Sequence, residues 1–338
     1  MIRTKTTVVV GAGAAVEVDL PDPREMLGKI SQGFDFQRLG TDLARPETGD
    51  FDALFKKLKG KAPTLIDAAQ RVRAGSRLST SIHALLQQHG EDDHVIAAGK
   101  LALAYYTLRA EQESTTTDEP RDPGEMPLRG SENWLFQLGR MAVDGVPRAK
   151  ADSCFDNLTF VSFGTDRTIQ HYMPWVLHSG FGMGISEARA ICAEKLRVIQ
   201  PFGHAGRLPW MAGDQAVADW GELDLAKLFN VADGLRTADE FTNDRQARAG
   251  LASAVSKSRR LVFLGFDFTG MEVSLLFDDR LQQVPDVLAA LRESEVDREP
   301  MIKRVLDKVG GIGPDAVIAM PVTRSWKMLR DYSQLLES

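Results

Sequence analysis

Thr6-Thr7-Val8-Val9-Val10-Gly11-Ala12-Gly13-Ala14-Ala15 is the stretch whose reading decides the fold. A β-branched run that stops at two glycines spaced by one residue is the pattern of a buried parallel strand handing over to a helix. Backbone N–H groups at such a turn, together with the helix dipole, favour an anionic group, and glycine lets a ligand approach the backbone. Gly11-x-Gly13 lacks the third glycine of the dinucleotide fingerprint, so taken alone the turn is equally an ordinary strand end.

The rest of the chain can be read outward from that strand. With 338 residues it can form one large α/β domain or two smaller ones, and it needs no covalent staples to bury a core. A hydrophobic content of 43% with 26% charged residues is that of a globular protein. The net charge of −6 and the lack of a basic run argue against a dedicated nucleic-acid binder. Two cysteines, Cys154 and Cys192, make neither a disulfide framework nor a four-cysteine zinc site, which points to a reducing, cytoplasmic setting. The sequence shows no charged-then-apolar leader and no apolar run of about 18 residues, so no membrane association is expected.

Asp22 followed by Pro23 reads as a helix start, continued by Met26, Leu27 and Ile30. Gly40 to Asp50 reads as a polar loop. Helical spacing then recurs in Phe51, Leu54, Phe55 and Leu58, in Leu65, Ala69 and Val72, in Ile82, Leu85 and Leu86, and over Val95 to Arg109. These segments form a helical insertion of about 49–145, which includes an exposed polar loop of about 111–129 and a short helix over Trp134 to Ala142. Further strands are expected at 158–163, 196–200 and 260–266, with helices at 167–177 and 246–256. Such alternation implies an α/β fold, a Rossmann-like parallel sheet with helices on both faces, whose ligands sit at the carboxyl ends of the strands. Gly11, Gly164, Gly203 and Gly265 all fall there. Helix candidates at Val287–Leu291 and Met301–Val309, with Gly310-Gly311 as a helix stop, suggest a C-terminal helical extension over 281–338 packed on a domain of 1–280.

The order of these elements resembles the sirtuin-like superfamily, in particular its bacterial branch of NAD-consuming effectors in anti-phage defence. The resemblance rests on Val10-Gly11-Ala12-Gly13-Ala14-Ala15, on Phe160-Val161-Ser162-Phe163-Gly164-Thr165-Asp166-Arg167, on Ile199-Gln200-Pro201-Phe202-Gly203 and on Leu264-Gly265-Phe266-Asp267-Phe268, within roughly residues 5 to 280. It implies NAD or an ADP-ribose derivative as ligand, held by Gly11, Ala12, Gly13, Ala14, Ala15, Gly164, Thr165, Gln200, Gly203, Gly265 and Phe266. Zinc is not expected, because deacylating members carry four cysteines and this chain has two. The family's asparagine at the end of the middle strand is Gly164 here, and the histidine of the next strand is Gln200. The late strand, commonly followed by a polar or histidine position and then an asparagine, continues here as Thr269-Gly270-Met271-Glu272. Loss of a general base costs about 10²–10⁴-fold in rate, so the resemblance implies a binding protein whose glycosidase chemistry has decayed.

Two residues are placed to substitute. Asp166 could stabilise oxocarbenium charge and His204 could act as base, which would give an active NAD glycohydrolase. Alternatively, Asp166 caps the following helix and His204 is an exposed loop histidine. Thr165, Asp267 and Glu272 are further polar groups near strand ends. Glu17 and Asp19 contact a ribose or cap local backbone, and Arg207 and Trp210 hold a phosphate and wall a pocket or are surface and core. His171 and His178 read as surface or packing residues, and His83, His89 and His94 lack the spacing of a metal site. A third possibility is an interaction subunit, binding a protein partner or a second copy, that keeps the sheet only as scaffold.

Overall fold

The computed structural model describes residues 1–57, 61–117, 120 and 125–337. Leu58 and part of the 111–129 loop lie outside the described residues. Six strands, β1 (Thr6–Val10), β2 (Leu158–Ser162), β3 (Arg197–Ile199), β4 (Arg260–Leu264), β5 (Asp286–Ala290) and β6 (Val317–Ala319), form one sheet in the order β3-β2-β1-β4-β5-β6. Every pairing is parallel. β1 is central, with Val8 opposite Phe160 on one side and Val262 on the other, and all of its residues are buried. The chain leaves β1 in one direction towards β2 and β3, and later returns to its other side with β4, so a topological switch point lies between β1 and β4.

The two faces of the sheet follow from the period-2 alternation of its strands. Val8, Val10, Phe160, Val262, Leu264, Leu288 and Ala290 pack with Trp134, Leu138, Tyr172 and Leu329. Val9, Val161, Phe163, Leu261, Phe263, Val287 and Ala289 pack with Leu251, Val255, Val273 and Ile302. A third core belongs to the helical insertion, where Phe34, Phe51, Phe55, Leu65 and Leu85 close around the helix Asp93–Glu113. Asp22 caps the helix Pro23–Gly33, its carboxylate accepting from the N–H groups of Arg24 and Glu25 at 2.8 Å.

Several boundaries differ from the sequence expectation. Val287–Leu291 is not a helix: Asp286–Ala290 is the strand β5, paired along its length with β4. A short wholly apolar run has no periodicity to separate a buried helix from a buried strand, and here the open edge of β4 decides. Residues 281–338 are therefore not a helical extension, since they supply β5 and β6 as well as the helices Glu299–Val305 and Ser325–Asp331. The polar loop of 40–50 ends early, because the helix Pro46–Lys57 starts within it on a proline suited to a first turn. β4 stops at Leu264 because Gly265 turns to φ 53°. Gly311, at φ 71°, stops the preceding helical turn as expected. Among the described residues no helix is long and apolar enough to cross a membrane.

Candidate functional site

A cavity of about 340 Å³ opens at the carboxyl ends of β1, β2 and β4, beside the switch point. Its walls include Leu20, Pro21, Pro23 and Met26 at the start of the helix Pro23–Gly33, and Phe202 from the segment after β3. The turn after β1 contributes Ala12 and Ala15, and the turn after β2 contributes Phe163, Gly164, Thr165 and Asp166. The segment after β4 contributes Asp267, Thr269 and Glu272, and the helical insertion closes the top with His83, Leu103, Thr107 and Ala110.

The opening glycine turn packs against the end of β4. The N–H of Gly11 donates to Leu264 O at 2.9 Å and that of Gly13 to Gly265 O at 2.9 Å, so neither is free for a phosphate. A Cβ on Gly13 would lie 2.8 Å from Gly265 O, and one on Gly265 would lie 2.0 Å from Ala14 N. The glycines bring the ends of β1 and β4 into backbone contact. The helix that follows, Ala12–Ala15, is a single turn, and Trp134 donates its indole N–H to Ala14 O at 3.0 Å.

Gly164 and Asp166 share one space. A Cβ at position 164 would meet Asp166 Oδ2 at 2.5 Å, so the carboxylate of Asp166 stands where a side chain at 164 would point. Its other oxygen, Oδ1, accepts from Thr168 N at 3.0 Å and from the Thr168 hydroxyl, which makes Asp166 both a turn cap and a cavity wall. Gln200 is spent on holding that turn: Nε2 donates to Gly164 O at 3.0 Å and Asp166 O at 2.9 Å, while Oε1 accepts from Gln170 at 2.8 Å. Thr165 shares a hydroxyl hydrogen bond of 3.0 Å with Thr107 from the insertion. The N–H groups of Thr165 and Asp166 have no acceptor among the described residues.

On the β4 side, Phe268 adopts φ 52°, a left-handed conformation unusual for a bulky residue, and this turn presents Asp267 and then Glu272 to the cavity. Asp267 is paired with Arg292, and its carbonyl accepts from Arg298 at 2.7 Å. Burial nevertheless raises the Asp267 pKa. Glu272 closes a capping box with Thr269, Oε2 accepting from the Thr269 hydroxyl at 2.9 Å. No hydrogen bond reaches its Oε1 among the described residues. Burial, reinforced by the neighbouring Asp267, pushes the Glu272 pKa up to about 7. His83 lies flat on Phe202, ring centroids 3.7 Å apart and planes 11° apart, with Nδ1 shut off from solvent and unpartnered. Burial pushes its pKa down to about 3, so the ring is neutral.

Of the site residues expected from sequence, Ala12, Ala15, Gly164, Thr165 and Asp166 meet in this cavity. Gly11, Gly13, Ala14, Gln200, Gly203, Gly265 and Phe266 lie behind its lining, with Gly203 bridged to Leu235. His204 is neither in the lining nor an exposed loop histidine: it is half-buried, with Nδ1 2.7 Å from Gly206 O, and burial lowers its pKa. Glu17 caps the helix Ser325–Asp331 through Ser325 N and Trp326 N, the latter at 3.2 Å, and Asp19 accepts from the Thr115 hydroxyl. Arg207 is held by the carbonyls of Gln215 and Met211, at 3.0 and 2.7 Å. His171 is stacked on Trp220. Among the described residues no cluster of His, Cys, Asp or Glu is arranged to hold a metal.

From sequence, His83 is a histidine without metal-site spacing, Phe202 is part of a strand-end motif and Thr107 is not singled out, yet all three line the cavity. Leu103, Thr107 and Ala110 follow one face of their helix at i, i+4 and i+7, a stripe that could have marked a covering surface. His83 carries no such signal, because its position depends on how the insertion folds over the sheet. No protein-family model matches the chain and no curated protein is similar to it.

Proposed function

We propose that the chain binds an NAD-type nucleotide, NAD itself or an ADP-ribose derivative, in the cavity at the strand ends, without the turnover chemistry of the sirtuin-like enzymes it resembles. The observation that carries this reading is the position of the cavity: it lies beside the switch point of a parallel sheet ordered β3-β2-β1-β4-β5-β6, where doubly wound folds take nucleotides. With Gly11 and Gly13 committed to β4, phosphate recognition falls to the unpaired N–H groups of Thr165 and Asp166. In an anti-phage system such a chain serves as a sensor or partner subunit.

Titration calorimetry with NAD, ADP-ribose and cyclic ADP-ribose tests the reading. Saturable binding is expected, and it should be lost in Ala84→Trp, which fills the cavity from the helix Ile82–Gln88. No binding of any of the three at millimolar concentration overturns it.

One observation favours a second, enzymatic reading. Glu272 lines the cavity with a pKa near 7 and with Asp267 beside it, the setting of a general acid or base. As an NAD glycohydrolase the chain releases nicotinamide, which chromatography follows directly; release no faster than in buffer removes this reading.

A further inference from the structure

The amino ends of the strands, opposite the cavity described above, carry a second cleft of about 500 Å³. The helix Arg245–Ser256 packs on β1, where the Thr7 hydroxyl donates to Ala254 O at 3.1 Å, and leaves the edge of the sheet half-open. Thr159 of β2 and all three residues of the edge strand β3 are at least partly exposed. Thr7, Thr159 and Arg197 are successive partners on strands about 4.8 Å apart, so their side chains stand in one row on one face. Lys5, just before β1, and Lys257, just after the helix, also line the cleft. Its charge is opposite to that of the whole chain: three cations, Lys5, Arg197 and Lys257, against one carboxylate, Asp156, in a protein of net charge −6. Among the described residues none of the three cations has an ion-pair partner, and the hydroxyls of Thr159 and Ser253 have no hydrogen-bond partner. Gly250, in the helix wall, is exposed, and a Cβ there would meet nothing within 4 Å, so that wall is open to a ligand.

We infer that this cleft binds a small anionic ligand through a phosphate or diphosphate group. Arg197 takes two of its oxygens through the planar guanidinium fork, and Lys5 and Lys257 neutralise its charge from the β1 and helix sides. Thr159 and Ser253 supply hydroxyl donors to the remaining oxygens. A phosphate monoester carries a charge of about −1.5 to −2 at pH 7, which the excess of positive charge in the lining matches. The inference is independent of the nucleotide reading, because the two cavities open at opposite ends of the sheet and share no lining residue.

The test is calorimetric titration of inorganic pyrophosphate into the full chain at about 50 mM salt, where exposed charges are weakly screened. Saturable binding of one pyrophosphate per chain is expected, with a Kd below about 1 mM. Lys5→Gln, Arg197→Gln and Lys257→Gln should each weaken it at least about fivefold, and the triple variant should abolish it. All three side chains are exposed, so these variants keep the fold, which far-ultraviolet circular dichroism checks. Gly250→Glu, which places a carboxylate in the cleft without a clash at its Cβ, should also abolish binding. Lys308→Gln, on an exposed lysine outside the cleft, and Ala84→Trp, which fills the strand-end cavity, should leave it unchanged. No binding of pyrophosphate at millimolar concentration, or binding that survives both the triple variant and Gly250→Glu, overturns the inference. Loss of binding in Ala84→Trp alone overturns it too, since the anion then sits at the strand ends. Citrate, a tricarboxylate, binding as tightly as pyrophosphate overturns the assignment to phosphate.

Discussion

Arg167 and Glu111 form an ion pair in which neither side chain reaches solvent. Arg167 Nε donates to Glu111 Oε1 at 3.1 Å, and the Arg167 backbone N–H donates to the same oxygen at 3.1 Å. The remaining guanidinium donors go to the carbonyls of Ala218 and Asp219, at 2.6 and 3.1 Å. One contact thus joins three pieces: the last turns of the helix Asp93–Glu113, the turn after β2, and the segment around 218–221. Asp166 and Thr165 immediately precede Arg167, so the pair fixes the cavity wall to the insertion that covers it.

A buried pair of this kind is sensitive to losing one member, since the survivor is left as an uncompensated charge. Glu111→Ala and Arg167→Ala are each expected to lower unfolding stability by about 3–5 kcal/mol in urea titrations. Glu111→Leu combined with Arg167→Met should recover much of that loss, and a double variant as unstable as the worse single one would contradict this account.

Glu272 gives the fold a pH dependence of defined sign. Its pKa is raised in the folded state, to about 7 from 4.5, so the folded protein holds the proton more tightly than the unfolded chain. Stability is full below about pH 4.5, falls as pH rises through that window and levels off above about pH 7, a loss on the order of 3 kcal/mol. Glu272→Gln keeps the capping box with Thr269 and removes the ionisation. Its stability is expected to match the parent at pH 4 and to exceed it at pH 8, measured by urea unfolding at both.

The contact between Gly13 and Gly265 separates packing from ligand recognition. Gly265 sits at φ 53°, and a Cβ there would collide with Ala14 N, so Gly265→Ala should cost at least about 4 kcal/mol or prevent folding. Gly13→Ala meets Gly265 O at 2.8 Å and should also destabilise, whether or not a ligand is present. Ala12→Ser, on the cavity lining, should leave the unfolding free energy within about 0.5 kcal/mol of the parent. Thermal melts with and without NAD read all three.

The sheet was legible because β1, β2 and β4 announce themselves as β-branched or apolar runs ending at a glycine, and those runs are central strands buried on both faces. β5 was not, because Val287-Leu288-Ala289-Ala290 carries no period and becomes a strand only when β4 offers an edge. The glycine turn was read correctly as a strand end, and its close approach to the Gly265 backbone was not legible, because that contact joins residues about 250 positions apart. His83 was visible only as one of three histidines without the spacing of a metal site. What makes it part of the site is the fold of the insertion over the strand ends, a long-range arrangement that no local pattern encodes.

Gly164 and Asp166 are coupled through one space in the turn after β2. The carboxylate of Asp166 occupies the space that a side chain at 164 would need, 2.5 Å from its Cβ position. Gly164→Asn alone is therefore expected to displace Asp166 from Thr168 and to lower stability by about 1–3 kcal/mol. Gly164→Asn with Asp166→Gly vacates that space and should recover part of the stability, although Thr168 N then loses its cap. If the two substitutions destabilise additively, the residues do not share the site in this way, because contacting positions that exchange volume must show a coupling energy.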